Sequence, residues 1–100
     1  NLYPSYIETI LNSHPAVFTS TVIGIPHPKK TQVAKAFIVL NEGYKPSKEL
    51  ERDINAHCEK NLARYSLPSE YEFRDSLPKT LVGKVAYRKL EEEEKEKNNN

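Results

Sequence analysis

Residues 33–40 read VAKAFIVL, and their reading decides the fold. Phe37 and Val39 alternate with Ala36, Ile38 and Leu40, so an extended chain is apolar on both sides here. A strand with two apolar faces belongs in the middle of a sheet, with other elements covering each side. Just upstream, PHPKKTQ (26–32) is polar and rich in turn residues, the kind of segment that joins two strands. Ahead of it STVIGIP (20–26) predicts a shorter strand carrying Val22, Ile23 and Ile25, closed by Gly24 and Pro26. Nearer the start, Ser5 and Glu8 have the S-x-x-E spacing of a capping box behind Pro4. Ile7, Ile10 and Leu11 then share one helical face before His14-Pro15 ends the helix.

Downstream of the central strand, NEGYKPS (41–47) reads as a loop. From Ser47 the period changes: Leu50, Ile54, Cys58 and Leu62 recur at every fourth residue, one apolar stripe on a helix of about four turns. LPSEYEFRDSLP (67–78) holds another short strand, with Tyr71 and Phe73 facing one way and Glu70, Glu72 and Arg74 the other. VAYRKLEEEEKEK (85–97) reads as a terminal helix with Ala86 and Leu90 inside and the Glu91 to Glu94 run as a solvated face. The order helix, strand, strand, helix, strand, loop, helix predicts an α+β fold. It would be a small two-layer domain with a short, mostly antiparallel sheet covered by helices.

One hundred residues suffice for a single modest core. A formal charge of +1 argues against a nucleic-acid binder that relies on bulk charge. No run approaches the roughly 18–20 apolar residues of a membrane helix, and NLYPSYIETI lacks the basic and apolar regions of a secretion signal. Cys58 is the only cysteine, so no intrachain disulfide can form and a reducing, cytoplasmic setting is expected. One cysteine and three scattered histidines do not make a zinc site. The abrupt opening suggests a domain cut from a longer chain. EEEEKEKNNN suggests a frayed helix end and a disordered tail, so residues 1–92 are expected to form the domain and 93–100 the tail.

The chemistry-bearing stretch is LPKTLVGKVAYRKL (77–90). Gly83 carries no side chain and frees φ, so the backbone beside Lys84 can approach a partner closely. An ammonium on a long stem is a compact charge suited to a phosphate or carboxylate. Spacing alone favours reading Lys84 as a solvated lysine at a helix start, and Lys79 has the same ambiguity with less support. Thr80 can cap the following turn or hydrogen-bond an anion. His14, at a helix end, His27, in a turn, and His57, beside the stripe, have no Ser or Asp partners at triad spacing. Cys58 falls on the stripe as a small buried hydrophobe, and Lys29-Lys30 reads as surface loop.

The same residues resemble a family. YPSYIETILNSHPAV, VIGIPHP, AKAFIVL, HCEKNLARYSLP and EFRDSLPKTLVGK occur in the order seen in the small C-terminal domain of the adenylate-forming superfamily. That superfamily includes acyl-CoA synthetases, adenylation domains and luciferases, and the resemblance runs from Tyr3 to Leu90. It implies that Lys84 is catalytic, with Thr80 and Gly83 supporting its loop. In the family this lysine enters the active site of the large N-terminal domain during adenylation and contacts the carboxylate and the oxygen joining ribose to the α-phosphate. It further implies ATP and Mg²⁺ held mainly by the large domain, CoA as co-substrate, and a mobile C-terminal lid that rotates before thioester formation. TLVGKVAYRKLEEEE looks most like the fatty-acyl-CoA ligases, which implies a fatty acid as substrate and no activity for the isolated domain. Many members place Arg three residues after the lysine; here Tyr87 stands there, with Arg88 next. Two other readings stay open: an adenylation domain that loads a carrier protein, and a non-catalytic interaction domain.

Overall fold

The computed structural model describes residues 3–79 and 85–98. In chain order it contains α1 (Pro4–Asn12), β1 (Val17–Pro26), β2 (Gln32–Leu40), α2 (Lys48–Asn61), a 3₁₀ turn (Arg64–Ser66), β3 (Glu70–Phe73) and α3 (Tyr87–Asn98). The α+β class is as expected, and the doubly apolar strand β2 lies in the middle of a three-stranded sheet ordered β1-β2-β3. β1 and β2 form an antiparallel hairpin with Val17 opposite Leu40 and Pro26 opposite Gln32. β3 joins β2 in parallel, because α2 carries the chain back along the sheet between them. β1 starts earlier than STVIGIP predicts. Val17 is buried and pairs with Leu40, and a register irregularity between Val17 and Thr19 leaves Phe18 69 % exposed.

Strand alternation sends the side chains of β2 into two clusters. Ala34, Ala36 and Ile38 pack with Ile7 and Leu11 of α1 and with Ile54 and Cys58 of α2. Val33 and Phe37 face the other way, toward Ile23, Ile25, Leu77 and Leu90 of α3. Helices therefore cover both faces of the sheet, two on one side and α3 on the other. Each fully buried Ile, Leu or Phe contributes roughly 1.5–3 kcal/mol, so the first cluster dominates stability.

α2 begins where the sequence places it. Ser47 is the N-cap, and its hydroxyl accepts the Leu50 N–H at 3.0 Å. The capping box expected at Ser5 and Glu8 does not form. Tyr3 occupies the N-cap with no side-chain bond, Pro4 sits at the first helical position, and Ser5 lies within the helix. Glu8 is instead drawn to the sheet edge, where its Oε2 accepts the Val22 N–H at 2.9 Å. β1 is an edge strand whose outward amides lack a strand partner, and the carboxylate fills one of those vacancies. α3 runs on through Asn98, so residues 93–98 of the expected tail continue the helix.

Candidate functional site

The site is the base of the segment that bears Lys84. Thr80, Gly83 and Lys84 themselves lie outside the described residues. On either side of them, Lys79 and Val85 form an antiparallel bridge, and the Ala86 N–H donates to the Pro78 carbonyl at 2.8 Å. The chain thus departs and returns at one point, with residues 80–84 between. Leu77, before the segment, and Leu90, one turn into α3, are both buried in the second core cluster and anchor its two ends to the sheet.

α3 needs more than Leu90 to hold it, since its remaining residues are nearly all polar. The additional grip is electrostatic. Lys35 of β2 is only 5 % exposed, and its Nζ donates to Glu94 of α3. Nζ also lies 3.1 Å from Glu72 and 3.8 Å from Glu70 on β3. Lys97 bridges Glu72 at 3.1 Å and Glu94 at 3.6 Å, and Arg74 reaches Glu93 at 3.1 Å. Burial alone would lower the Lys35 pKa, but the hydrogen bonds and charges of Glu94 and Glu72 outweigh it and hold the ammonium above its ordinary value. Burial likewise pushes Glu72 up, and hydrogen bonds from Lys97 and Lys35 bring it below the usual carboxylate range. The solvated face expected for Glu91 to Glu94 is corrected at its end. Glu91 and Glu92 are exposed, whereas Glu94 is 6 % exposed because it turns under the helix to meet Lys35.

At the exit of the segment, the Tyr87 hydroxyl lies 3.3 Å from Glu8 Oε2 and donates to it. Burial and the Glu8 charge raise the phenol pKa, so the ring stays neutral. Beside the base runs a groove with Phe18, Val39, Leu77 and Val85 as apolar wall and Asp75 and Lys79 as polar rim. The sequence reading missed Phe18, and the only signal was an aromatic residue just ahead of the predicted strand.

The other candidates are structural. His14 Nδ1 accepts the Ala16 N–H at 3.0 Å, so the proton sits on Nε2, which donates to Asp53 at 2.6 Å. This ties the exit of α1 to α2 rather than serving the helix dipole. His57 Nε2 lies 2.8 Å from Ser13 Oγ and 3.1 Å from the Ile10 carbonyl, while Ser13 itself donates to that carbonyl at 2.6 Å. His57 Nε2 is therefore a donor, with no lone pair left to activate the serine. His27 Nδ1 accepts the amides of Lys29 and Lys30 and organises the turn. Cys58 is buried, and that burial raises its thiol pKa. Among the described residues no group of His, Cys, Asp or Glu is arranged to hold a metal ion. No described helix is long and apolar enough to cross a membrane.

Comparison with known proteins adds a frame to this geometry. The family model described as AMP-binding enzyme C-terminal domain matches residues 6–84. The chain is 44 % identical over 97 residues to 4-hydroxybutyrate–CoA ligase 1 of Metallosphaera sedula, covering 94 % of this chain and 17 % of that protein. It is 42 % identical over 96 residues to the long-chain-fatty-acid–CoA ligase of Bacillus subtilis, covering 96 % of this chain and 17 % of that one. Among solved structures, the acyl-CoA synthetase of Brucella canis superposes with a TM-score of 0.90 at 36 % identity, over 95 % of this chain and 18 % of that one. The chain thus spans about a sixth of the length of the curated relatives it matches.

Proposed function

The chain belongs to the AMP-binding enzyme C-terminal domain family, and on that premise we propose that it supplies the catalytic lysine, Lys84, of an AMP-forming acyl-CoA synthetase. The observation that carries the reading is the closed base of the lysine segment. Lys79 and Val85 pair, Ala86 bonds Pro78, and Leu77 and Leu90 anchor both sides. These contacts bring the two ends of the segment that bears the Gly-Lys pair to one point on the domain, and in this reading Lys84 enters a cleft on the large domain.

The chemistry asks for such a charge. A carboxylate attacks the α-phosphorus of ATP, the bond to the bridging oxygen breaks, and pyrophosphate leaves, giving an acyl-adenylate. Two anions are brought together and negative charge spreads over the phosphoryl oxygens. An ammonium aimed there, with water excluded, lowers that barrier. CoA thiol then attacks the acyl carbon, a thioester forms and AMP departs. In this reading ATP and its Mg²⁺ are held mainly by the large domain, as the family resemblance implies. The named relatives are CoA ligases, which favours CoA over a carrier protein as acceptor. In this reading the domain is mobile, rotating between the two half-reactions about a hinge, and alone it is inactive.

The test is Lys84→Ala in the full-length enzyme. Carboxylate-dependent pyrophosphate exchange should fall on the order of 10²–10³-fold, with the folded state unchanged, as for an ordinary surface substitution. Full exchange in that variant would sink the proposal and favour a non-catalytic interaction domain.

A further inference from the structure

We infer that the groove headed by Phe18 is a docking surface for the large domain of the same enzyme, and that it receives an apolar side chain of that domain while the carboxylate is adenylated. The inference deepens the function proposed above and rests on it.

Phe18 is 69 % exposed, where a register irregularity in β1 turns it outward. Among the described residues the other exposed large hydrophobic side chains are all tyrosines, each with a hydroxyl that water can meet. Phe18 has no such group. A lone apolar side chain on a surface needs no explanation, but this one is not alone. It heads a groove of about 490 Å³ whose wall is completed by Val39, Leu77 and Val85, with Asp75 and Lys79 on the rim. An aromatic anchor beside an apolar hollow, with charges of both signs at its edge, is the make-up of an interface centre and its rim.

The covalent chain decides which partner comes here. Val85 lines the groove and follows Lys84 in sequence. Their Cα atoms are therefore about 3.8 Å apart whatever path residues 80–84 take. When the Lys84 ammonium reaches an active site on the large domain, Val85 stands at the mouth of that cleft, within a side chain's length. Lys79 pairs with Val85 and lies on the groove rim, so the groove stands there too. In the curated relatives a partner of sufficient size exists, since about five-sixths of their length lies outside the domain matched here. The occupant is the rim of the large domain's cleft, which presents an apolar side chain to Phe18, Leu77 and Val85 and polar groups to Asp75 and Lys79. Covering this surface in the adenylating arrangement stabilises that arrangement through the apolar area removed from water. Rotation of the domain uncovers it again.

The test uses the full-length enzyme that carries this domain, with its accessible cysteines elsewhere replaced; Cys58 is buried and stays. In the Phe18→Cys variant a maleimide should react readily without ligands. It should react at a fraction of that rate with ATP, Mg²⁺ and an unreactive analogue of the carboxylate bound. Phe18→Asp should lower pyrophosphate exchange about tenfold, while leaving the thermal midpoint and the transfer of acyl groups from added acyl-adenylate to CoA unchanged. Phe18→Leu, which keeps an apolar surface, should retain most of the exchange. Equal labelling with and without the ligands overturns the inference, as does wild-type exchange in Phe18→Asp. Protection that tracks protein concentration rather than the ligands assigns the groove to a second copy of the chain and overturns it as well. Lys84→Ala leaves the groove intact, so full exchange in that variant defeats the proposed function and reads out separately.

Discussion

Helices α2 and α3 cover opposite faces of the same three-stranded sheet, yet different forces hold them. α2 presents an apolar stripe, with Ile54 and Cys58 fully buried and Leu50 and Leu62 completing the contact. α3 presents one leucine and a carboxylate, and its hold on the sheet runs through Lys35, Glu72, Lys97 and Arg74. Apolar burial is strong and non-directional, whereas charge-assisted hydrogen bonds are geometrically exacting. The helix of the dominant core is thus built for stability. The helix that adjoins the lysine segment is held mainly by directional ion pairs, which pH can loosen.

The comparison can be broken most directly at its strong side. Ile54→Ala removes fully buried methyl groups from the dominant cluster, and the expected cost is about 2–5 kcal/mol. Denaturant melts should show both helices unfolding in one transition at lower denaturant. If α2 alone melted, the two faces would not share a cooperative unit.

Acid should separate the two helices. The folded Glu72 pKa lies below its ordinary value. Its contribution is therefore complete above the unfolded value near pH 4.3, and it fades as pH falls through the lower folded value. Lys35 has the opposite sign. Its folded pKa is raised, so its contribution is complete below about pH 10.4 and fades as pH rises through the folded value. Below about pH 4, amide resonances of α3 should shift toward a released helix while those of α2 stay in place. Simultaneous loss of both helices would remove the distinction.

The smallest effect concerns the rim of the charge cluster. Lys97 is 55 % exposed at its side chain, so Lys97→Ala should cost only about 0.5 kcal/mol. Raising salt to about 1 M should remove most of that difference, because screening then acts within about 3 Å. Thermal melts of both proteins at two salt concentrations check this. A loss several times larger would place Lys97 with Lys35 as part of the buried grip.

What could be read in the sequence was local. The stripe of α2 repeats every four residues, the two-faced apolar run of β2 repeats every two, and Ser47 precedes its helix in the usual capping position. Tyr71 and Phe73 do turn to the first core, while Glu70 and Glu72 turn to Lys35, as alternation predicts. The misreadings share one cause. Ser5 and Glu8 have the spacing of a capping box, but Glu8 is claimed by Val22 on the edge strand. Glu94 belongs to a run of four glutamates and looks solvated until Lys35 is brought beneath it. His14 looks like a dipole partner until Asp53, 39 residues away, accepts a hydrogen bond from its Nε2.

The sequence by itself determined the α+β class, the central strand and the identity of Lys84 as the residue to mutate. These rest on periodicity within one element and on short motifs in order. The tertiary structure alone decided which faces the helices cover, that β3 runs parallel to β2, and that a buried lysine fixes the helix beyond the lysine segment. Spacing rules for helices and strands reach only a few residues along the chain. Partners separated by dozens of residues are chosen when the packed core leaves a charge little water and brings the carboxylates of other elements within its reach.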